Sequence, residues 1–159
     1  IRDYKVTGVQ TCALPILASR GPVIVTIGIK PTEPATGYGY IRTGSDLPPP
    51  HGVKKYKTTF FKAEQFVEKP NLEKALDYLT SGNYRWNAGM FVWSFVTITQ
   101  GLEKHQPEMA AACQRWFQVA GTPKLAKTLA KEYPEIKKIS IDYALMEHAQ
   151  NVEIGRAHV

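Results

Sequence analysis

Val23-Ile24-Val25-Thr26-Ile27-Gly28-Ile29 is the stretch on which the fold turns. It is a nearly unbroken β-branched run, apolar at odd and even positions alike. A half-buried strand alternates apolar and polar residues, whereas a strand covered on both faces does not. The run therefore predicts a buried strand, expected in a mostly parallel sheet. Outward from it, Pro31 and Pro34 hold an extended loop, and Tyr38–Arg42 resumes as a strand. Leu47–Gly52, with three consecutive prolines, predicts an exposed connection. Val53–Lys62 and Glu64–Glu68 are two further strand candidates, expected as antiparallel neighbours.

Helical signals follow. Pro70 stops the strand, and Asn71 is placed to cap a helix whose buried face is marked by Leu72, Leu76 and Leu79. Gly82 ends it. Met90–Trp93 is a short apolar strand, and Ser94 caps a helix to about His105 with Gly101 as its weak spot. Pro107 opens a helix that ends near Gly121, and Thr122-Pro123 opens a lysine-rich one to about Tyr133. Ser140 caps a last short helix, Ile141–His148. Strands first, helices later and alternation between them define the α/β class.

The chain has 159 residues, 43% hydrophobic and 21% charged, enough for one domain or part of a larger one with a real core. No apolar run approaches the roughly 20 residues of a membrane span. Cys12 and Cys113 form no CxxC pair and the four histidines are scattered, which excludes a cysteine–histidine metal set and points to a reducing, cytoplasmic compartment. The net charge of +6 draws on Lys54, Lys55, Lys57, Lys124, Lys127, Lys131, Lys137 and Lys138. These read as solvated faces, and the charge suits phosphorylated substrates. A nucleic-acid-binding module would interleave basic residues with exposed aromatics, but Leu and Ala lie between these lysines, so no nucleic acid partner is expected. Val6–Ile16 and Glu153–Val159 look like translated sequencing-adapter sequence. Residues 1–17 and 153–159 are accordingly set aside as non-native tails, leaving 18–152 as the natural segment.

Four polar clusters sit where strands end or helices begin, the usual place for ligands in α/β sheets. In Arg85-Trp86-Asn87-Ala88-Gly89-Met90-Phe91, Asn87 can donate and accept together, which suits reading a hydroxyl. Small neighbours allow close approach, and Trp86 offers a flat wall. A structural turn with Asn87 bonded to its own backbone explains the same residues. Thr36-Gly37-Tyr38-Gly39-Tyr40-Ile41 permits a ligand against backbone N–H groups, or is a bulged strand. Glu68-Lys69-Pro70 could pair a hydroxyl acceptor with a phosphate partner, or be a surface charge pair. In Ser140-Ile141-Asp142-Tyr143, Asp142 could hold Mg²⁺, or simply complement a helix dipole.

Taken in order, Gly28–Thr32, Thr36–Ile41, Phe66–Pro70, Trp86–Phe91 and Ser140–Ala144 resemble the mannose-1-phosphate guanylyltransferases, over about residues 22–152. The resemblance implies a Rossmann-like nucleotidyltransferase domain, here an incomplete mixed sheet with flanking helices. It implies the synthesis of GDP-mannose and pyrophosphate from GTP and mannose 1-phosphate with Mg²⁺, by in-line attack on the α-phosphorus. By this likeness Tyr38, Gly39 and Gly89 lie against the sugar, and Glu68 and Asn87 bond its hydroxyls. Lys69 pairs with the phosphate and Asp142 binds the metal, these two carrying the catalytic roles. Ala88 stands where many relatives carry Ser. The family's Gly-rich loop ending in Arg-Leu-x-Pro, and a second metal-binding Asp, have no counterpart in this sequence. The expectation is a sugar-phosphate half-site that does not turn over alone. Another hexose 1-phosphate as substrate, and a homo-oligomer, both remain compatible with the residues.

Overall fold

The computed structural model describes residues 14–48 and 59–156. Its centre is strand β1 (Ile24–Ile29), buried along its whole length. Val25 and Ile27 face a helical segment over residues 14–18 (α1), whose Leu14, Leu17 and Ala18 are buried with Phe60. Ile24 faces the other way, into a cluster with Ile41, Phe66, Leu145, Met146, Val152 and Ile154. The β-branched run thus does what its pattern predicts, since both faces are covered.

The sheet differs from expectation. Strands β2 (Tyr40–Leu47), β3 (Phe60–Val67), β4 (Tyr84–Val92) and β5 (Val152–Arg156) join β1 in a closed barrel ordered β1-β4-β2-β3-β5. It is neither an incomplete sheet nor mostly parallel: β1 and β5 run parallel, and every other pairing is antiparallel. Closure comes from β5, which pairs with β1 on one side and β3 on the other. That strand lies largely within the segment set aside as a tail, as do the first residues of α1. Closure also needs Gly28, where a Cβ would come within 2.6 Å of Ile154 Cγ2 and 2.9 Å of Arg85 Cβ. A barrel leaves no strand edge exposed for pairing.

Glu64–Glu68 is not a separate strand. Phe60–Val67 is continuous, and its pairing with β2 is interrupted between Arg42 and Thr43 and between Thr43 and Asp46. Residues 53–58 of the other strand candidate, the prolines at 49 and 50, Cys12 and Lys54, Lys55 and Lys57 lie outside the described residues.

Helix ends follow the local chemistry. Asn71 Oδ1 accepts the Lys74 N–H at 3.0 Å and Gly82 takes the left-handed conformation (φ 73°), bounding α2 (Leu72–Ser81). Ser94 caps α3 (Phe95–His105), and Pro107 opens α4 (Pro107–Gln118). Thr122 Oγ1 accepts the Lys124 N–H at 3.3 Å at the start of α5 (Lys124–Glu132). The buried face of α2 is not the predicted one: Ala75 is buried, while Leu72 and Leu76 are 57% and 46% exposed. The reason is the layer of rings beneath the helix, Tyr40, Tyr84 and Trp86, onto which Tyr78 of α2 packs while Ala75 beside it lets the helix approach closely. The last helix is instead a π turn, Asp142–Met146, closed by the Glu147 N–H on the Asp142 carbonyl at 3.0 Å. Ser140 serves it through its own carbonyl, which accepts the Ala144 N–H at 2.8 Å, and not through a side-chain cap.

Candidate functional site

Gly39 lies just before β2, Glu68 and Lys69 just after β3, Asn87 within β4, and Asp142 at the head of the π turn. Barrel closure brings these separate segments together at one end. The Asn87 N–H donates to the Gly39 carbonyl at 2.7 Å, and the Lys69 N–H to the Tyr38 carbonyl at 3.2 Å. A Cβ at Gly39 would come within 2.5 Å of Glu68 Oε2 and 3.3 Å of Asn87 Cβ. Glycine is favoured there by its neighbours and not by backbone conformation, since any side chain would displace the Glu68 carboxylate.

Asn87 owes its position to an irregularity. Thr26 pairs with Phe91 and Gly28 with Asn87, so β4 bulges between Asn87 and Phe91, with Gly89 at φ 72°. A bulge re-aims a side chain while keeping the ladder on either side. Asn87 Oδ1 accepts from Thr26 Oγ1 at 3.0 Å and from the Gly89 N–H at 3.1 Å. Its Nδ2 donates to Asp142 Oδ1 at 3.2 Å. The Gly89 N–H on Oδ1 and the Asp142 carboxylate on Nδ2 together set which way the amide points. The structural-turn interpretation of Asn87 holds: its oxygen organises its own turn, while its amide nitrogen bonds Asp142. Within the cluster the oxygen is occupied, and the amide nitrogen keeps one hydrogen beyond its bond to Asp142.

Glu68 supplies acceptors. Its side chain is 10% exposed and its Oε1 lies 3.4 Å from Lys69 Nζ. Burial raises the Glu68 pKa, and Asp142 raises it further. Lys69 pulls the other way, and Glu147 adds a smaller upward push. Tyr38 stands edge-on to Trp86, ring centroids 5.1 Å apart. Trp86 itself is buried, so the wall presented outward is the part-exposed Tyr38 ring.

All the predicted residues except Gly89 contribute side chains or close contacts to this cluster; Gly89 serves through its backbone N–H. Two contributors were not predicted. Thr26, fully buried, has Asn87 Oδ1 and the Met90 carbonyl each 3.0 Å from its Oγ1 and shares its single hydroxyl hydrogen between them; its only signal was a hydroxyl inside an apolar strand. Glu147 accepts the Glu68 N–H at 2.9 Å and had no signal, because a π turn is not legible in Asp-Tyr-Ala-Leu-Met. Among the described residues no three His, Cys, Asp or Glu side chains converge as a metal cage.

The sequence pattern of the nucleotidyl transferase family matches residues 14–150, and the chain belongs to that family. Within it, the chain is 41% identical over 141 residues to a mannose-1-phosphate guanylyltransferase of Sinorhizobium fredii, covering 87% of this chain and 25% of that protein. It is 41% identical over 148 residues to the xanthan biosynthesis protein XanB of Xanthomonas campestris, covering 92% of this chain and 29% of that one. A mannose-1-phosphate guanylyltransferase of Escherichia coli is 37% identical over 133 residues, covering 82% and 27%. The chain thus spans between a quarter and a third of these relatives. A solved Thermus thermophilus structure, described as a mannose-1-phosphate geranyltransferase, superposes with a TM-score of 0.71 at 33% identity, over 94% of this chain and 39% of that one. The mixed α/β nucleotidyltransferase-like fold is shared with it.

Proposed function

We propose that this chain forms the sugar-phosphate site of a mannose-1-phosphate guanylyltransferase, an enzyme that transfers GMP from GTP to mannose 1-phosphate. The observation that carries this is the convergence of Gly39, Glu68, Lys69, Asn87 and Asp142 at one end of the barrel, in a chain whose relatives are named for that reaction. The donor and acceptor are complementary for adjacent hydroxyls: Asn87 Nδ2 donates to a hydroxyl oxygen, while the Glu68 carboxylate accepts hydroxyl hydrogens. Gly39 keeps the floor low enough for a sugar ring, and Lys69, with its side chain 57% exposed, is free to turn from Glu68 to a phosphate. Catalysis by such a site is positioning and charge neutralisation, with no covalent intermediate on the protein.

The donor set fits Mg²⁺ in a limited way. Asp142 spends one oxygen on Asn87 and keeps further lone pairs, and its charge disfavours that of Glu68, a conflict a dication relieves. Mg²⁺ needs only one or two carboxylates when phosphate oxygens and water complete its shell. Asp142 would hold it, and the ion would neutralise phosphate charge. No Arg-Leu-x-Pro motif occurs in the 159 residues, so the chain by itself is proposed to bind the sugar phosphate without making GDP-mannose. No described helix is long and apolar enough to cross a membrane. A cytoplasmic setting and GTP as the nucleotide belong to the same proposal.

Calorimetry tests it. Mannose 1-phosphate should bind the purified chain in the presence of MgCl₂ more tightly than glucose 1-phosphate does. Equal affinity would favour another hexose, and no binding of either would defeat the assignment. Release of pyrophosphate from GTP plus mannose 1-phosphate by the chain alone would defeat the half-site description.

A further inference from the structure

Glu147 lies outside the sugar-reading set, yet it reaches the same loop from behind. Its Oε1 accepts the Glu68 backbone N–H at 2.9 Å, while the next N–H, that of Lys69, donates to the Tyr38 carbonyl at 3.2 Å. Two successive peptide groups are thus held from different elements, one by the π turn and one by the segment before β2. Directly after the second of them Lys69 sits at φ 47°, the left-handed region, where a Cβ crowds the following carbonyl. It also precedes Pro70, whose ring favours extended backbone in its predecessor. A side-chain-bearing residue stays in such a conformation only where its surroundings over-determine it. Among the described residues Lys69 is the one non-glycine with positive φ.

The π turn ties this arrangement to Asp142. Its closing bond, from the Glu147 N–H to the Asp142 carbonyl, fixes the spacing between the two carboxylates. One turn therefore sets both the partner of Asn87 and the partner of Glu68. Single-turn π segments of this kind occur often at functional sites.

We propose that Glu147 is a positioning residue for sugar-phosphate binding: its carboxylate holds the Glu68 N–H and so keeps Lys69 in the left-handed conformation that places its ammonium beside Glu68. The proposal rests on the sugar-phosphate assignment above. Without the acceptor, the Val67–Glu68 peptide is free to turn, the Glu68 backbone shifts with it, Lys69 relaxes toward extended backbone, and the phosphate partner moves off the site.

The test compares the whole chain with Glu147→Ala and Glu147→Gln, the second keeping a carbonyl oxygen in the acceptor position. Two quantities are measured: mannose 1-phosphate affinity by calorimetry, and the HN–Hα coupling of Lys69 by NMR without ligand. Glu147→Ala should weaken binding roughly five- to tenfold, as loss of one ordinary hydrogen bond does, and should shift the Lys69 coupling. Glu147→Gln should bind within about twofold of the wild type and leave the coupling unchanged, because the hydrogen bond survives. Wild-type affinity or an unchanged coupling in Glu147→Ala overturns the proposal. So does a Gln variant as weak as the Ala variant, since charge and not the hydrogen bond would then matter. If the wild type binds no mannose 1-phosphate, the functional assignment fails, and the Lys69 coupling alone decides whether Glu147 positions the loop.

Discussion

The barrel end and the face formed by α3, α4 and α5 make opposite uses of the same chain. At the barrel end, side chains from residues as far apart as Thr26 and Asp142 meet in one bonded cluster around Asn87. On the helical face, neighbours in sequence line an open apolar groove of about 680 Å³, with Phe95 and Phe117 80% and 79% exposed. That face is tied together at its margin, where Arg115 and Trp116 both donate to Glu132 Oε2, at 3.0 and 3.1 Å. It has a hollow but, among the described residues, no convergence of polar groups like that around Asn87. Size of cavity and presence of chemistry are therefore separate properties here. Ligand recognition follows the polar groups that cannot all be satisfied without a precise arrangement.

The difference predicts unequal sensitivity to substitution. Asn87→Ala removes the partner of the Gly89 N–H and of Asp142 Oδ1 and leaves Thr26 only the Met90 carbonyl; it should destabilise the fold by about 1–3 kcal/mol while abolishing mannose 1-phosphate binding. Thermal denaturation and calorimetry read the two effects. A fully stable variant would mean that the cluster is not cooperative.

Gly39→Ala comes next. The added carbon meets Glu68 Oε2 at 2.5 Å and Phe66 Cζ at 3.2 Å, so Glu68 must move, at a cost of about 1–2 kcal/mol. Binding should fall with it, and unchanged affinity would show that Glu68 does not contact the sugar.

A pH dependence sharpens the assignment of Glu68. Burial first, and Asp142 second, raise its pKa in the folded chain. The folded state then holds this proton more tightly than the unfolded chain does. Its contribution to stability is full below the ordinary carboxylate range and is lost as pH rises through the folded value. Glu68→Gln removes that dependence, so its melting temperature relative to wild type should climb between roughly pH 4 and pH 7. A difference that stays flat with pH would contradict a raised Glu68 pKa.

The smallest effect belongs to the other region. Phe117→Ser should change stability by no more than about 0.5 kcal/mol and leave mannose 1-phosphate affinity as it was, because the ring is 79% exposed and lies on the helical face. A marked loss of binding would link the two regions.

Much of this was legible in the residues. Val23–Ile29 announced a strand covered on both faces. Asn71, Gly82, Ser94 and Pro107 marked helix ends because capping is chemistry between residues one to three positions apart. The motifs around Gly39, Glu68, Asn87 and Asp142 also named residues that do meet. What they could not convey was the bulge that turns Asn87, or the π turn that adds Glu147. Leu72 and Leu76 misled because helical spacing identifies an apolar stripe but not what lies under it. Here a layer of aromatic rings favours Ala75.

By itself, then, the sequence determined the elements, their caps and the identity of the candidate ligand-reading residues, all of which depend on neighbours along the chain. Only the tertiary structure decided that the sheet closes, which it does because Val152–Arg156 finds partners in both β1 and β3. It also decided that Asn87 presents its nitrogen and not its oxygen, because Thr26, 61 positions away, claims the oxygen with Gly89. Hydrogen-bond valence is exhausted by whatever comes within reach, and what comes within reach is a property of the fold.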